Sequence, residues 1–226
     1  MLAVCAAGFT FAQTADEIVN KHIQAIGGAE AWKKVNSIIT TGSLKVQNAE
    51  VIVVQTVLNG KGSRQDFSIM GTNNYQIVTP DAGWNFMAVR GQKAPEPITA
   101  DELKESQEGL DAQGSLIDYK AKGHAVEFLG TDDVDGVDAL KLKVTLKSGK
   151  VETVYFDPKT YFVIRVIRKQ KANGKEDNVT SNLSNYQKLP EGIMIPFSIT
   201  LPFGELVVSK VEINKPIDEN IFKPAK

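Results

Sequence analysis

The sequence is poor in the side chains that most site chemistries require. Its 226 residues hold one cysteine, Cys5, and two histidines, His22 and His124. That leaves almost no raw material for zinc, iron–sulfur or thiol chemistry. An excess of either charge is also missing: 26 Lys and Arg stand against 27 Asp and Glu, a formal net charge of -1. Nucleic-acid binding needs a basic footprint, so composition sets that partner class aside. Glycine (18) and proline (9) stand near ordinary background, which removes collagen-like and linker-like readings. There is no G-x-S-x-G elbow and no HExxH pair. Gly27-Gly28 precedes a helix without following a strand, and lacks the flanking glycines of a phosphate loop. The residues make no case for an enzyme and imply no cofactor.

What is present is a core-forming chain. Hydrophobic residues make up 42% and charged residues 23%, and neither a repeat nor a linker divides the chain. The expectation is a leader at 1–13 followed by one domain over 14–226. Met1 to Ala12 carry no charge and are almost wholly apolar, and polarity begins at Gln13-Thr14-Ala15-Asp16-Glu17. Such a run is too short to span a bilayer and fits the apolar stretch of a secretory signal. The chain is therefore expected to be exported to the periplasm. Leu2-Ala3-Val4-Cys5 is near a lipobox, so anchoring through Cys5 is the alternative.

From Thr14 the spacing of Ile18, Val19, His22, Ile23 and Ile26 predicts an amphipathic helix, capped by Thr14 or Asp16 and stopped at Gly27-Gly28. A short helix follows over Ala29–Val35. Beyond Asn36 the period changes to two, and Asn59-Gly60 marks a hairpin. Thr99-Ala100-Asp101-Glu102 has the form of a capping box and predicts a helix over Ala100–Asp111 lying on the sheet. The second half is strand and turn, punctuated by Asp135-Gly136, Ser148-Gly149, Asp157-Pro158, Asn173-Gly174 and Glu191-Gly192. The fold class expected is mainly β: one strongly curved antiparallel sheet of about eleven or twelve strands, an unclosed barrel, with a few helices over its open face.

Three polar constellations have plain explanations. Asp132 to Asp138 look like a calcium loop, but Thr131 takes the first ligand position and Leu142 the place of the bidentate Glu, so a hairpin turn is expected. Glu102, Glu105 and Glu108 share a helix at spacings of three, as solvent-facing helices commonly do. Lys141, Lys143, Arg165 and Lys169 form a basic outer stripe, either an ordinary wet face or a contact for an envelope membrane or membrane protein.

Several strands are more apolar than a one-sided sheet requires. Ile193, Ile195, Phe197, Ile199 and Leu201 fill one face of a strand, Leu140, Leu142, Val144 and Leu146 another, and Phe162, Ile164 and Val166 a third. Phe67, Ile69, Tyr75, Ile77, Trp84 and Phe86 add bulk from the first half. A half-barrel lined this way either fills itself or encloses an apolar cavity, and the pattern leaves both open. The candidate cavity residues are Phe67, Tyr75, Trp84, Phe86, Leu142, Ile164, Ile195, Phe197 and Ile199.

A succession of short motifs then acquires meaning by its order. Val154-Tyr155-Phe156-Asp157-Pro158-Lys159-Thr160 is followed by Val163-Ile164-Arg165, Asn185-Tyr186-Gln187 and Glu191-Gly192-Ile193-Met194-Ile195-Pro196. Val211-Glu212-Ile213-Asn214, Ile217-Asp218 and Ile221-Phe222 close the series. With Ile18-Val19, Ile26-Gly27-Gly28, Ala31-Trp32 and Val35 at the start, this resembles the LolA-like superfamily of periplasmic lipoprotein carriers. The resemblance implies an unclosed barrel whose helices lid a hydrophobic cavity for lipid or lipoprotein acyl chains, with no catalytic residues. It also implies an arginine that latches the lid, for which Arg64 and Arg90 stand as alternatives. Lys93 to Ala125, where the lid would lie, departs from the family pattern. The rival reading is a non-enzymatic envelope interaction or sensing module with a fully packed barrel.

If the leader is removed on export, N-terminal sequencing of protein from cells will begin near Thr14. Cytoplasmic protein retaining Met1–Gln13 would remove the envelope assignment.

Overall fold

The computed structural model describes residues 14–46, 49–172 and 175–225, so the expected leader and Cys5 lie outside the described residues. The chain opens with two helices, α1 (Ala15–Ala25) and α2 (Ala29–Lys33). Thr14 caps α1 through a reciprocal box: its side chain accepts from the Glu17 amide, and the Glu17 carboxylate accepts from the Thr14 amide at 3.0 Å. Ile18, Val19 and His22 are buried on one side of α1, as the 3.6-residue period requires.

The strands follow as meanders. The first half comprises β1 (Ser37–Val46), β2 (Ala49–Leu58), β3 (Gly62–Ile69), β4 (Thr72–Val78), β5 (Gly83–Phe86) and the two-residue β6 (Glu96–Pro97). Helix α3 (Ala100–Ser106) and a 3-10 turn at Gln107–Leu110 lead into an irregular segment over 111–124. The second half comprises β7 (Ala125–Val134), β8 (Val137–Thr145), β9 (Val151–Phe156), β10 (Val163–Ala172), β11 (Lys175–Lys188), β12 (Met194–Leu201) and β13 (Gly204–Ile213). All thirteen join one unclosed antiparallel sheet in the order β6-β5-β4-β3-β2-β1-β13-β12-β11-β10-β9-β8-β7. Every neighbouring pair is sequential except β1 and β13, whose pairing from Ile38 opposite Ile213 to Lys45 opposite Glu205 joins the two meanders. The fold class is thus as the sequence implies, with β6 as the strand that the periodicity did not reveal.

Turn chemistry accounts for the registers. Asp135 and Gly136 both have positive φ, 53° and 86°, the conformation a two-residue hairpin demands, and Val134 pairs with Val137 across them. The acidic run Asp132–Asp138 is therefore a turn. Thr99 and Glu102 form the expected capping box, but the α-helix ends at Ser106 and continues as a 3-10 turn where Asp111 had been its expected end.

One face of the sheet is covered by α1, α2 and the 111–124 segment; we call it the inner face. Ile18, Val19, Leu116 and Tyr119 pack on Leu140, Leu142, Val144, Val154, Phe156 and Val166. Ile26, Trp32, Ala112 and Ile117 pack on Val57, Ile193 and Ile213. Ile23 of α1 touches both clusters. The covering layer is tied together by polar contacts. Asp16 accepts from the Tyr119 hydroxyl and, at 2.5 Å, from Lys120 Nζ, and Lys33 Nζ lies 3.3 Å from Asp118.

Helix α1 ends against the β11–β12 turn. The carbonyl of Ile26 accepts both the Trp32 indole N–H and the Met194 amide, each at 2.9 Å. A Cβ on Gly27 would lie 2.5 Å from the Gly192 carbonyl oxygen and 2.8 Å from the Ile193 Cα, and the Gly27 φ is +112°. Gly28, at φ +88°, has open space around its missing Cβ. Gly28→Ala should therefore cost only backbone strain, about 1–3 kcal/mol. Gly27→Ala should cost more, because it also forces the helix end away from the turn. Equal losses in chemical denaturation would show that this junction is not close-packed.

Candidate functional site

Between the covering layer and the inner face lies a cavity of about 380 Å³. That is within the range of small-molecule sites, roughly 300–1,000 Å³. Ile26 and Trp32 from the helices, Ala112 to Ile117 from the irregular segment, and Ile38, Val154, Val163, Val166, Leu183, Met194 and Ile195 from the sheet wall it. Polar side chains interrupt this lining, among them Thr40, Asp111, Gln113 and Ser115, and several are spent within the protein. The Tyr186 hydroxyl donates to the Val163 carbonyl at 2.9 Å, and burial raises its pKa above the usual range. Glu152, buried on β9, holds the half-exposed Arg168 of β10 at 2.5 Å. The pair stands directly across the ladder, where opposite charges attract.

His22 is the remaining polar wall residue of interest. It is 6% exposed, its ring meets Phe156 edge-on with centroids 5.2 Å apart, and its Nδ1 lies 2.8 Å from the Tyr161 carbonyl oxygen. A carbonyl can only accept, so Nδ1 carries the proton and donates. Burial pushes the imidazole pKa down to about 4, against the weaker upward pull of that carbonyl. Sequence alone leaves His22 as a packing or a surface residue, and the structure buries it. Its place in the helix's apolar stripe was the available sign of a polar atom on the inner face.

The nine candidate cavity residues separate between two faces. Leu142 is fully buried beneath α1, and Ile195 and Phe197 pack on the cluster around Trp32. Ile195 also lines the cavity. Ile199, opposite Leu183 and Leu206, and Phe67, opposite Val53, share this inner face by register. The other four lie outside. Tyr75, Trp84 and Phe86 are covered on the outer face by Ile217, Ile221 and Phe222 of the C-terminal segment. Ile164 packs with Tyr155 and Ala139 on the same outer side. A register shift between Val163 and Arg165 puts an extra residue into β10, so Val163 and Val166 face inward and Ile164 does not.

Neither arginine considered for a latch reaches the cavity. Arg64 is bidentate to Asp66, stacks 4.4 Å over Tyr75 and donates to the Ile221 carbonyl at 3.0 Å, all on the outer face. Arg90 lies exposed in a 3-10 turn at Ala88–Arg90. The basic stripe is largely neutralised in place: Lys141 pairs with Asp132, Lys143 with Glu127 and Arg165 with Asp135. Glu108 pairs with Lys150, and Glu102 is spent on its cap. A second hollow of about 600 Å³ lies between the Gln107–Leu110 turn and the β8–β9 turn, and its charged walls include Lys122 paired to Asp111. Among the described residues no helix is long and apolar enough to cross a membrane.

This arrangement has counterparts among solved structures. An outer membrane lipoprotein-sorting protein domain from Vibrio parahaemolyticus superposes with a TM-score of 0.54 at 16% identity, over 92% of this chain and 95% of that one. A LolA superfamily protein from Nitrosomonas europaea gives 0.54 at 15% identity, over 94% and 98%. A DUF1329 family protein from Desulfovibrio piger gives 0.55 at 12% identity, over 94% and 98%. No protein-family model matches the chain, and no curated protein matches it. The likeness establishes the LolA-type fold over nearly the whole described chain.

Because the folded state holds His22 near 4 and the unfolded chain near 6.5, unfolding takes up a proton between those values. Stability should fall by about 3 kcal/mol as the pH drops through this window, with no further loss from His22 below it. His22→Phe should remove that part of the slope in denaturation curves measured from pH 7 to 4. An unchanged slope would show that His22 is not held neutral by burial.

Proposed function

We propose that the protein is a non-enzymatic periplasmic carrier that shelters an apolar ligand, a lipid or the acyl chains of a lipoprotein, between its covering layer and the inner face of the sheet. The observation that carries this reading is the cavity itself. It lies beneath helices that no strand pairing holds, its walls are mostly apolar, and, apart from the backbone anchor at Ile26, the covering layer is tied down by side-chain contacts such as Asp16 with Tyr119 and Lys120. The LolA-type fold of the lipoprotein-sorting domain and of the LolA superfamily protein supports the same assignment.

The test is binding of diphenylhexatriene, an apolar fluorophore without hydrogen-bonding groups. Ile195→Glu puts a carboxylate into the wall, and an unpaired charge in an apolar site is costly. Thr40→Phe fills the same space without a charge. Both should weaken binding by about tenfold or more, equivalent to about 1.4 kcal/mol. Val207→Glu, on an exposed outer position, should leave it unchanged. Parent-like binding in both cavity variants, with parent-like melting, would overturn the carrier reading in favour of a packed interaction module.

A further inference from the structure

We propose that the ligand of this cavity is a neutral amphiphile bearing a hydrogen-bond donor, a hydroxyl or amide N–H, and that His22 Nε2 accepts it; this deepens the carrier reading and rests on it. The tautomer is fixed from behind. With Nδ1–H committed to the Tyr161 carbonyl, the neutral ring must present a lone pair at Nε2. No described residue donates to that atom. It is not sealed either: Asn85 Oδ1 is the one buried unpartnered side-chain atom without access among the described residues, and the His22 ring lines the cavity.

Most neighbouring polar groups have other partners. Trp32 Nε1 is spent on Ile26, the Tyr186 hydroxyl on Val163 and Asp111 on Lys122, and Arg168 Nε donates to Glu152. The Thr40 and Ser115 hydroxyls also line the wall, but a hydroxyl can donate as well as accept, whereas Nε2 of the neutral ring can only accept. Burial favours the neutral imidazole, so at pH 7 the position offers an acceptor and no positive charge. At Nε2 itself a carboxylate or phosphate would meet a lone pair beside the Phe156 ring, with no donor to bond it. A hydroxyl or amide would find a partner that is already oriented. Sites built to pair a buried polar group discriminate against analogues that lack the complementary one.

The experiment is displacement of diphenylhexatriene at pH 7 by 1-dodecanol, by its methyl ether, which lacks only the donor, and by dodecanoate. The alcohol should displace the probe at about tenfold lower concentration than the ether or the carboxylate. His22→Phe should bring the alcohol to the level of the ether while leaving the ether as effective as in the parent. A readout on the parent protein guards against a variant that fails to fold. In selectively 15N-histidine-labelled protein, with His22 assigned by comparison with His124→Gln, the Nε2 resonance should move on adding alcohol and stay still on adding ether. Equal potency of alcohol and ether in the parent, or an Nε2 signal indifferent to the alcohol, overturns the inference and leaves the carrier reading standing. Failure of the probe to bind at all overturns both.

Discussion

One backbone carbonyl holds the two halves of the architecture in place. Ile26 O receives the indole N–H of Trp32 and the amide of Met194, so the end of α1, the body of α2 and the start of β12 meet at a single acceptor. A carbonyl oxygen has two lone pairs, and here both are used, which satisfies a helix-end carbonyl and a strand-end amide together. The contact is possible only because Gly27 has no Cβ to strike the Gly192 carbonyl and the Ile193 Cα. With that end fixed, the apolar stripe of α1 points at the sheet, and Ile23 falls between the two inner clusters.

From this follows the balance between packing and space. Thirteen strands present far more inner surface than eleven residues of α1 and five of α2 can cover. The irregular 111–124 segment supplies Ala112, Leu116, Ile117 and Tyr119 as a second roof, but the fit stays incomplete and a cavity remains. On the opposite face the C-terminal segment packs closely near Tyr75: Phe222 closes over Ile77 and meets Gly62, where a Cβ would lie 2.5 Å from its ring. The same sheet thus has a closely packed outer patch at one place and an incompletely filled inner one at another. The difference lies in what the chain lays across each.

The local grammar of the chain was readable, whereas the global choice of face was not. The Thr99–Glu102 capping box, a cap for α1 at Thr14 or Asp16, the Asn59-Gly60 and Asp135-Gly136 turns and the alternation in β8 and β12 follow from neighbouring residues alone, and together they define the fold class. Leu142, Ile195, Phe197, Ile199 and Phe67 could be placed together because strand period two holds through their segments. Tyr75, Trp84 and Phe86 look the same in sequence, but which side of a strand is covered depends on a C-terminal segment about 150 residues away. Ile164 was misplaced by one extra residue in β10, a shift that leaves no mark in composition. The role of the 111–124 segment rests on Leu116-Ile117, an apolar pair in an otherwise polar stretch. Its docking comes from tertiary contacts to Asp16 and Lys33.

An open sheet must also end twice, and both ends of this one are poor templates for a further strand. At one side β6 is two residues long, includes Pro97, which has no amide to donate, and follows Pro95. At the other, β7 breaks register between Phe128 and Thr131, with Gly130 at φ +92°. Short length, proline and bulges each discourage edge-to-edge addition. A protein that keeps an apolar interior within reach of solvent therefore guards its backbone against polymerising, and resistance to aggregation is built into the rims, away from the cavity.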